Sequence, residues 1–89
     1  MGDMKFEFDP NKSESNRVKH GIDFTQAQRL WEDPDRLVVP AKTQGEPRYL
    51  MVAKMDGRHW SAIFTPRGDK TRIISVRRSR SEEVEAYED

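Results

Sequence analysis

The residues best suited to chemistry in this sequence are cationic. Arginine and lysine recur through its second half, and His20 stands between Lys19 and Gly21. Arginine binds phosphate oxygens in pairs and stays charged at every working pH. The sequence has no glycine-rich phosphate loop, no nucleophile-elbow pattern and no Asp/Asn calcium loop. The residue types that are present therefore favour a site for a phosphate group.

Cleavage of RNA without a metal needs only groups of this kind. A base must take the proton of the 2′-hydroxyl, cations must stabilise the pentavalent phosphate, and an acid must protonate the leaving oxygen. His20 is the candidate base, because histidine titrates near neutral pH, and Lys19 could bind phosphate beside it. A histidine at a helix end is also commonly a capping or packing residue, so that alternative stays open, and His59 is a weaker candidate. The candidate cations are Arg67, Arg72, Arg77 and Arg78.

The composition limits the other kinds of site. The chain has 89 residues, no cysteine, and 16 Lys+Arg against 16 Asp+Glu. Without cysteine there is no disulfide framework and no thiolate chemistry, and two distant histidines do not favour zinc, so we expect no metal and no cofactor. No apolar run is long enough for a bilayer and no secretory signal is recognisable. We therefore expect one cytoplasmic domain over residues 1–89, with no membrane partner.

The neutral total hides two segments of opposite charge. Residues 66–80, the cationic strip, contain six basic residues and one acid, whereas residues 81–89, the acidic tail, contain five acids and no base. Dense cationic segments favour phosphate-bearing partners through counterion release, although a salt-bridged surface has the same composition. The tail could dock on the strip, compete there with RNA, or form a solvated helical end, and the solvated end is the expectation.

Two helices are predicted in the first third of the chain. Asp9-Pro10 is typical of a helix start and Gly21 of a helix end, which predicts a helix over residues 11–20. This helix is nearly polar, so it must lie across the surface or use its polar side chains. Asp23 is predicted to cap a second helix, which Asp33-Pro34 closes. Its core stripe consists of Phe24, Ala27, Leu30 and Trp31.

The rest of the chain has the patterns of strands and turns. Strands are predicted over residues 4–8, 37–39, 48–55, 59–65 and 71–78, with turns at Asp56-Gly57 and residues 66–69. Ser79 and Glu82 form a possible capping box for a terminal helix reaching Tyr87. The order predicts an α+β fold, in which a small antiparallel sheet is packed by two N-terminal helices and a short C-terminal helix, with its other face partly open.

Alternation along the last strand divides its residues between the two faces. It predicts that Arg72, Ile74 and Val76 join the core, whereas Ser75 and Arg77 lie on the open face. The next strand back alternates in the same way, and its apolar residues Trp60, Ala62 and Phe64 favour a core position for the tryptophan. Tyr49 could instead stack on a base.

The motifs together resemble the BrnT family of bacterial type II toxins, and the resemblance spans essentially the whole chain. In the first half it rests on Phe6-Glu7-Phe8-Asp9-Pro10, Lys12, Asn16, Lys19-His20-Gly21, Phe24, Ala27 and Asp33-Pro34. In the second half it rests on Arg48-Tyr49, Gly57-Arg58, Thr65, Arg67-Gly68-Asp69, Arg72-Ile73-Ile74-Ser75, Arg77-Arg78, Glu85 and Tyr87.

This resemblance implies a RelE-like fold and a metal-independent endoribonuclease that cleaves mRNA and blocks translation. It also implies a BrnA-like antitoxin with a ribbon-helix-helix part, and contact with operator DNA only through the toxin–antitoxin complex. By position in the motif, the implied catalytic residues are Arg72, Arg77, Arg78 and His20. The expected substrate-binding residues are Lys19, Arg48, Lys54, Arg67 and Tyr49.

Two other functions fit the same residues. In one, the chain is a binding module without catalysis, whose cationic face holds a partner protein or a nucleic-acid backbone. In the other, the cationic strip of one copy pairs with the acidic tail of a second copy in a homodimer. Association that persists without any RNA cleavage would indicate the first, and a concentration-independent monomer would exclude the second.

Overall fold

A computed structural model describes residues 4–42 and 45–89, which form an α+β fold as predicted. Strands and helices follow one another much as the sequence patterns indicate. In chain order the elements are β1 (Lys5–Glu7), α1 (Pro10–His20), α2 (Phe24–Ala27), a 3₁₀ helix (Gln28–Glu32), β2 (Leu37–Pro40), β3 (Tyr49–Met55), β4 (Arg58–Arg67), β5 (Lys70–Arg78) and α3 (Ser81–Glu88).

One sheet contains all five strands of the described residues, in the order β1-β5-β4-β3-β2. Strands β2 to β5 are antiparallel, as predicted, but β1 lies parallel to β5. A parallel neighbour needs a long connection, and α1 through β4 supply it. Asp56 and Gly57 form the β3–β4 turn, with φ angles of 52° and 78°. The predicted turn over residues 66–69 is wrong in extent, because β4 continues through Pro66 and leaves only Gly68 and Asp69 between the strands.

The second predicted helix is shorter than expected and changes type. Asp23 caps it, accepting from the Gln26 amide at 2.7 Å, while the Gln26 side chain accepts from the Asp23 amide at 2.9 Å. The α-helical part ends at Ala27, and a 3₁₀ helix continues to Glu32. Phe24, Ala27 and Leu30 are three residues apart, a spacing that 3₁₀ geometry aligns on one side. All four residues of the predicted stripe are buried, which confirms their place in the core.

The core lies between one face of the sheet and the segment of α2 and the 3₁₀ helix. It includes Trp31 and Trp60, which are 8% and 7% exposed, so the predicted core positions of both tryptophans are confirmed. Phe6 and Phe64 each contact Trp31 edge-on, with ring centroids 5.0 and 5.3 Å from it. These aromatic contacts join β1, the 3₁₀ helix and β4.

The last strand departs from strict alternation. Ile63 pairs with Ser75 and Phe64 pairs with Ile73, so Ile74 is an extra residue in a β-bulge. Because of the bulge, Ile73 is buried in the core together with Val76, and Ile74 is only partly buried. The prediction that Arg72 and Ile74 join the core is therefore wrong, since the extra residue reverses the facing of every position before it.

Helix α1 is fastened to β5 by polar side chains, in agreement with its polar sequence. The Asn16 amide nitrogen donates to the carbonyls of Ile22 and Val76 at 2.8 and 2.9 Å, and its oxygen accepts from the Val76 amide at 3.1 Å. Ser13 accepts from the Phe24 amide at 2.9 Å. Asn16 thus supplies hydrogen bonds along the stretch of β5 that β1 does not pair.

Candidate functional site

Four of the nine predicted site residues, Lys54, Arg67, Arg72 and Arg77, lie on one side of the sheet, which we call the outer face. It comprises the positions of β3, β4 and β5 that alternate with the core positions. Cross-strand pairing places Arg77 opposite Ser61, and Arg72 opposite Thr65. The intervening positions, such as Ala62 and Val76, are in the core. By the same register the polar residues of the outer face include Lys54, His59, Ser61, Thr65, Arg67, Arg72, Ser75 and Arg77, and its apolar residues include Leu50, Val52 and Ile63.

Three predicted cations form a chain of ion pairs at one end of this face. Arg72 lies 2.9 Å from Glu7, and Arg67 lies 3.9 Å from both Glu7 and Glu46. Glu46 also lies 3.4 Å from Arg48. Three arginines therefore share two carboxylates, which leaves one net positive charge among these five residues. Within the described residues, the buried Nε atom of Arg48 has no hydrogen-bond partner.

Arg77 makes the most complete ion pair on the outer face. Its two terminal nitrogens each donate to one oxygen of Glu83, both at 2.8 Å, in the bidentate arrangement typical of arginine and carboxylate. The Ser61 hydroxyl and the Arg80 amide also donate to Glu83, at 2.8 and 2.9 Å. Ser79 extends the cluster through a 2.8 Å hydrogen bond to Ser61. One carboxylate thus has four donors around it.

This environment changes the proton affinity of both partners. The hydrogen bonds from Arg77 lower the pKa of Glu83 to about 2, with further lowering by the Arg80 amide and the Ser61 hydroxyl against an opposing effect of burial. The hydrogen bond to Glu83 in turn raises the pKa of Arg77. Glu83 is therefore ionised near neutral pH and has too low a pKa to act there as a general base.

The other end of α3 also contacts the outer face. Glu88 lies 2.6 Å from the His59 ring nitrogen, and the Tyr87 hydroxyl donates to Asp33 at 2.7 Å. The same Asp33 oxygen accepts from the Lys54 amide at 2.8 Å. Burial alone would raise the pKa of Asp33, but the Tyr87 and Lys54 hydrogen bonds bring it below its ordinary value. The hydrogen bond to Asp33 also raises the pKa of Tyr87 to about 12.

The acidic tail is therefore docked, and the expectation of a solvated helical end is wrong. Glu83, Tyr87 and Glu88 project from one side of α3 and each reaches a different polar group of the sheet or the preceding loop. The predicted capping box of Ser79 and Glu82 is shifted by one residue, because the N-cap is Arg80 and its amide pairs with Glu83. That shift brings Glu83, rather than Glu82, onto Arg77.

A shallow pocket flanks the outer face between α1 and β5. Its volume is about 200 Å³, and its lining includes Lys12, Lys19, His20 and Ser75. Ser75 is two residues from Arg77 on the same side of β5, so the pocket continues onto the outer face. The complete lining is Lys12, Ser15, Asn16, Lys19, His20, Ile74 and Ser75. It contains two cations and no carboxylate, which suits an anion.

Two predicted site residues lie on the core side of the sheet instead. Arg78 pairs with Trp60 across the strands, and its guanidinium carbon lies 5.5 Å from the centre of the tryptophan ring. Tyr49 stacks on Phe64, with ring centroids 5.7 Å apart. The structure thus brings Lys19 and His20 into one pocket with Ser75, which is two residues from Arg77 on β5. Arg72 lies on the same strand, whereas Arg78 and Tyr49 lie on the core side.

The residues that the sequence reasoning missed are the partners of the predicted cations. Glu83 pairs with Arg77 and is bonded in turn by Ser61, which is linked to Ser79, and Glu7 pairs with Arg72. Alternation along β4 does put Ser61 on the face opposite Trp60, which is the only sequence signal for it. Nothing local connects Glu7 with Arg72, since they meet through the parallel pairing of β1 with β5.

Within residues 4–42 and 45–89, no three histidine or acidic side chains are grouped in a way that could hold a metal ion. In the same described ranges, no helix is long and apolar enough to cross a membrane.

Comparisons with known proteins agree with the resemblance drawn from the motifs. A family model described as "Ribonuclease toxin, BrnT, of type II toxin-antitoxin system" matches residues 8–83, which is most of the chain. No curated protein matches the sequence.

Proposed function

Because the chain belongs to the BrnT family of ribonuclease toxins of type II toxin–antitoxin systems, we propose that it cleaves messenger RNA on its outer face without a metal ion. The products are a strand ending in a 2′,3′-cyclic phosphate and a strand beginning with a 5′-hydroxyl. Loss of intact messenger RNA would stop translation, which accounts for the toxicity of such a protein.

The main support is the juxtaposition of the α1–β5 pocket with the arginines of β5. Lys12 and Lys19 give the pocket positive charge without a lining carboxylate, and His20 contributes an imidazole to its lining. Arg77 lies on β5, two residues after Ser75 of the pocket lining. A bound RNA strand would thus meet cations for its phosphates and an imidazole for proton transfer in one continuous surface.

The proposed reaction is an internal displacement at phosphorus. His20 takes the proton of the ribose 2′-hydroxyl, the 2′-oxygen attacks the adjacent phosphate, and the bond from phosphorus to the 5′-oxygen breaks. Arg72 and Arg77 stabilise the charge on the pentavalent phosphate, and the departing oxygen takes a proton from an acid or from water. Flanking phosphates are held by Lys19, Arg48, Lys54 and Arg67. Arg78 and Tyr49 lie on the core side, so they have no part at the reacting phosphate.

A protein antitoxin is the partner that a type II system requires. We assign it to the BrnA-like class with a ribbon-helix-helix part, and operator DNA to the complex of the two proteins rather than to this chain alone. The adjacent reading frame tests this assignment. A short frame for a ribbon-helix-helix protein, whose product copurifies with this chain, is expected; a neighbour of another class would contradict it.

Purified protein and an end-labelled single-stranded RNA test the reaction. With a chelator present, we expect cleavage products that carry a 2′,3′-cyclic phosphate, and no cleavage of the same sequence made with 2′-O-methyl groups, which cannot attack. A requirement for added magnesium would contradict the metal-free reaction. RNA that is bound but stays intact would support the alternative, a binding module without catalysis. The observation that favours this alternative is that Arg72 and Arg77 of the outer face are already paired with glutamates.

A further inference from the structure

The Glu83 carboxylate sits in a complete set of oxyanion donors. Its first oxygen accepts from Arg77, Ser61 and the Arg80 amide at 2.8, 2.8 and 2.9 Å, and its second accepts from Arg77 at 2.8 Å. Ser61 is 1% exposed, and its hydroxyl is also bonded to that of Ser79. When Ser61 donates to the carboxylate, Ser79 donates to Ser61, so the two hydroxyls form a relay directed at one anion.

We infer that Arg77, Ser61 and Ser79 form a binding site for an RNA phosphodiester, and that Glu83 fills this site until RNA displaces the first turn of α3. The two carboxylate oxygens then stand in for two non-bridging phosphate oxygens. The carboxylate is planar and the phosphodiester is tetrahedral, but each presents two oxygens that an arginine can bind with two parallel hydrogen bonds. The choice of RNA as the ligand rests on the proposed function.

The attachment of α3 is of a kind that a polyanion can displace. None of its eight residues is fully buried, and only three of them, Glu83, Val84 and Tyr87, are partly buried. Its contacts to the rest of the chain include the Glu83 cluster, the Tyr87–Asp33 hydrogen bond and the His59–Glu88 pair. Elements held mainly by polar contacts open at a low cost compared with global unfolding.

The surroundings favour RNA over an acidic peptide as the displacing ligand. A single carboxylate from a partner would form only the hydrogen bonds that Glu83 already forms. An RNA strand carries further phosphates, and the adjacent pocket offers Lys12 and Lys19 with no carboxylate in its lining. Ser75 at the pocket edge and Arg77 are two residues apart, about 6.7 Å along an extended strand. The gain over Glu83 therefore comes from these neighbouring cations.

Glu83→Gln tests the site, with Glu85→Gln as the matched control. Both changes remove one negative charge from α3, but Glu85 is exposed and only Glu83 contacts Arg77. The probe is a single-stranded 2′-O-methyl RNA, which keeps its phosphates and cannot be cleaved. We expect roughly tenfold tighter binding by Glu83→Gln and less than about a twofold change for Glu85→Gln. Equal effects of the two variants would show that RNA affinity depends only on net charge, and would overturn the inference.

A titration with inorganic phosphate distinguishes a site for a single phosphate group from a surface that needs a longer RNA strand. Glu83→Gln is expected to bind it, with the signal at the Arg77 guanidinium in an NMR titration, and Ser61→Ala in the same background is expected to weaken that binding. Phosphate that binds Glu83→Gln without perturbing Arg77 would contradict the site. An acidic peptide that competes for Arg77 as well as the RNA does would overturn the choice of ligand.

The unchanged protein provides a test that does not depend on how a variant folds. Saturation with the 2′-O-methyl RNA is expected to shift the Arg77 side-chain signal and the amide signals of residues 81–89. If RNA is bound while α3 keeps its free-state signals, the inference fails, yet cleavage by the same protein would leave the proposed function standing. Conversely, displacement of α3 by RNA that is never cleaved would support the site and contradict the nuclease.

Discussion

The glutamates Glu7, Glu46 and Glu83 determine how much of the arginine charge is free on the outer face. Each lies against at least one predicted site arginine, and Glu83 is the most enclosed of them, with a side chain only 13% exposed. The arginines could be picked out from the sequence because their residue type and spacing suit phosphate. Their partners could not, because Glu7 and Glu83 reach them through strand pairing and helix docking rather than through any local pattern.

Glu83 makes a prediction about stability in acid. The pKa of Glu83 falls from its ordinary value of 4.5 to about 2 in the folded protein. Its ionised form therefore stabilises the fold above pH 4.5, and this contribution is lost as the pH falls toward 2. Between pH 6 and pH 3 the lost contribution is about 2 kcal/mol. Urea denaturation at both pH values should therefore show that Glu83→Gln loses about 2 kcal/mol less than the unchanged protein.

Glu85→Gln is the control for this measurement, because Glu85 is exposed. It should follow the unchanged protein across the same pH range. Parallel curves for Glu83→Gln and the unchanged protein would show that the pair with Arg77 does not stabilise the fold through the charge of Glu83.

At the scale of elements, local signals were sufficient where a structure is fixed by neighbours in sequence. Asp9 and Gly21 cap the two ends of α1 as predicted, and Asp56-Gly57 forms the expected hairpin turn. The bulge at Ile74 and the parallel β1–β5 pairing depend on partners far away in sequence. The bulge matters for the site, because it puts Ile73 and Val76 in the core together while Arg72 and Arg77 remain on the outer face.

Asn16 is expected to be essential for the attachment of α1 to β5. Asn16→Ala leaves the Val76 amide and carbonyl without the partners they have now, and each unpaired buried group costs about 1–3 kcal/mol. We expect a loss of about 2–4 kcal/mol in the free energy of unfolding, measured by urea denaturation. Asn11→Ala, on an exposed position of the same helix, should change it by less than about 0.5 kcal/mol. A similar small change for Asn16→Ala would contradict the role given to its hydrogen bonds.

At the scale of the whole molecule, charges that sum to zero in the composition are in part paired within the chain. The cationic strip meets the acidic tail through Arg77 and Glu83, and it meets the N-terminal strand through Arg72 and Glu7. The α1–β5 pocket, with Lys12 and Lys19, is the part of this surface whose lining has no carboxylate. Composition alone predicted the two segments of opposite charge, but only the folded arrangement shows that they meet through the Arg77–Glu83 pair.

The rate of RNA cleavage by two matched variants tests the central claim most directly. Glu83→Gln and the double variant Arg77→Ala/Glu83→Gln both lack the ion pair with α3, so they differ only in the Arg77 side chain. With chelator present and the same labelled RNA, we predict that the double variant is at least about 100-fold slower, because it lacks the cation at the reacting phosphate. Equal cleavage rates, with both variants folded, would contradict a reaction on the outer face.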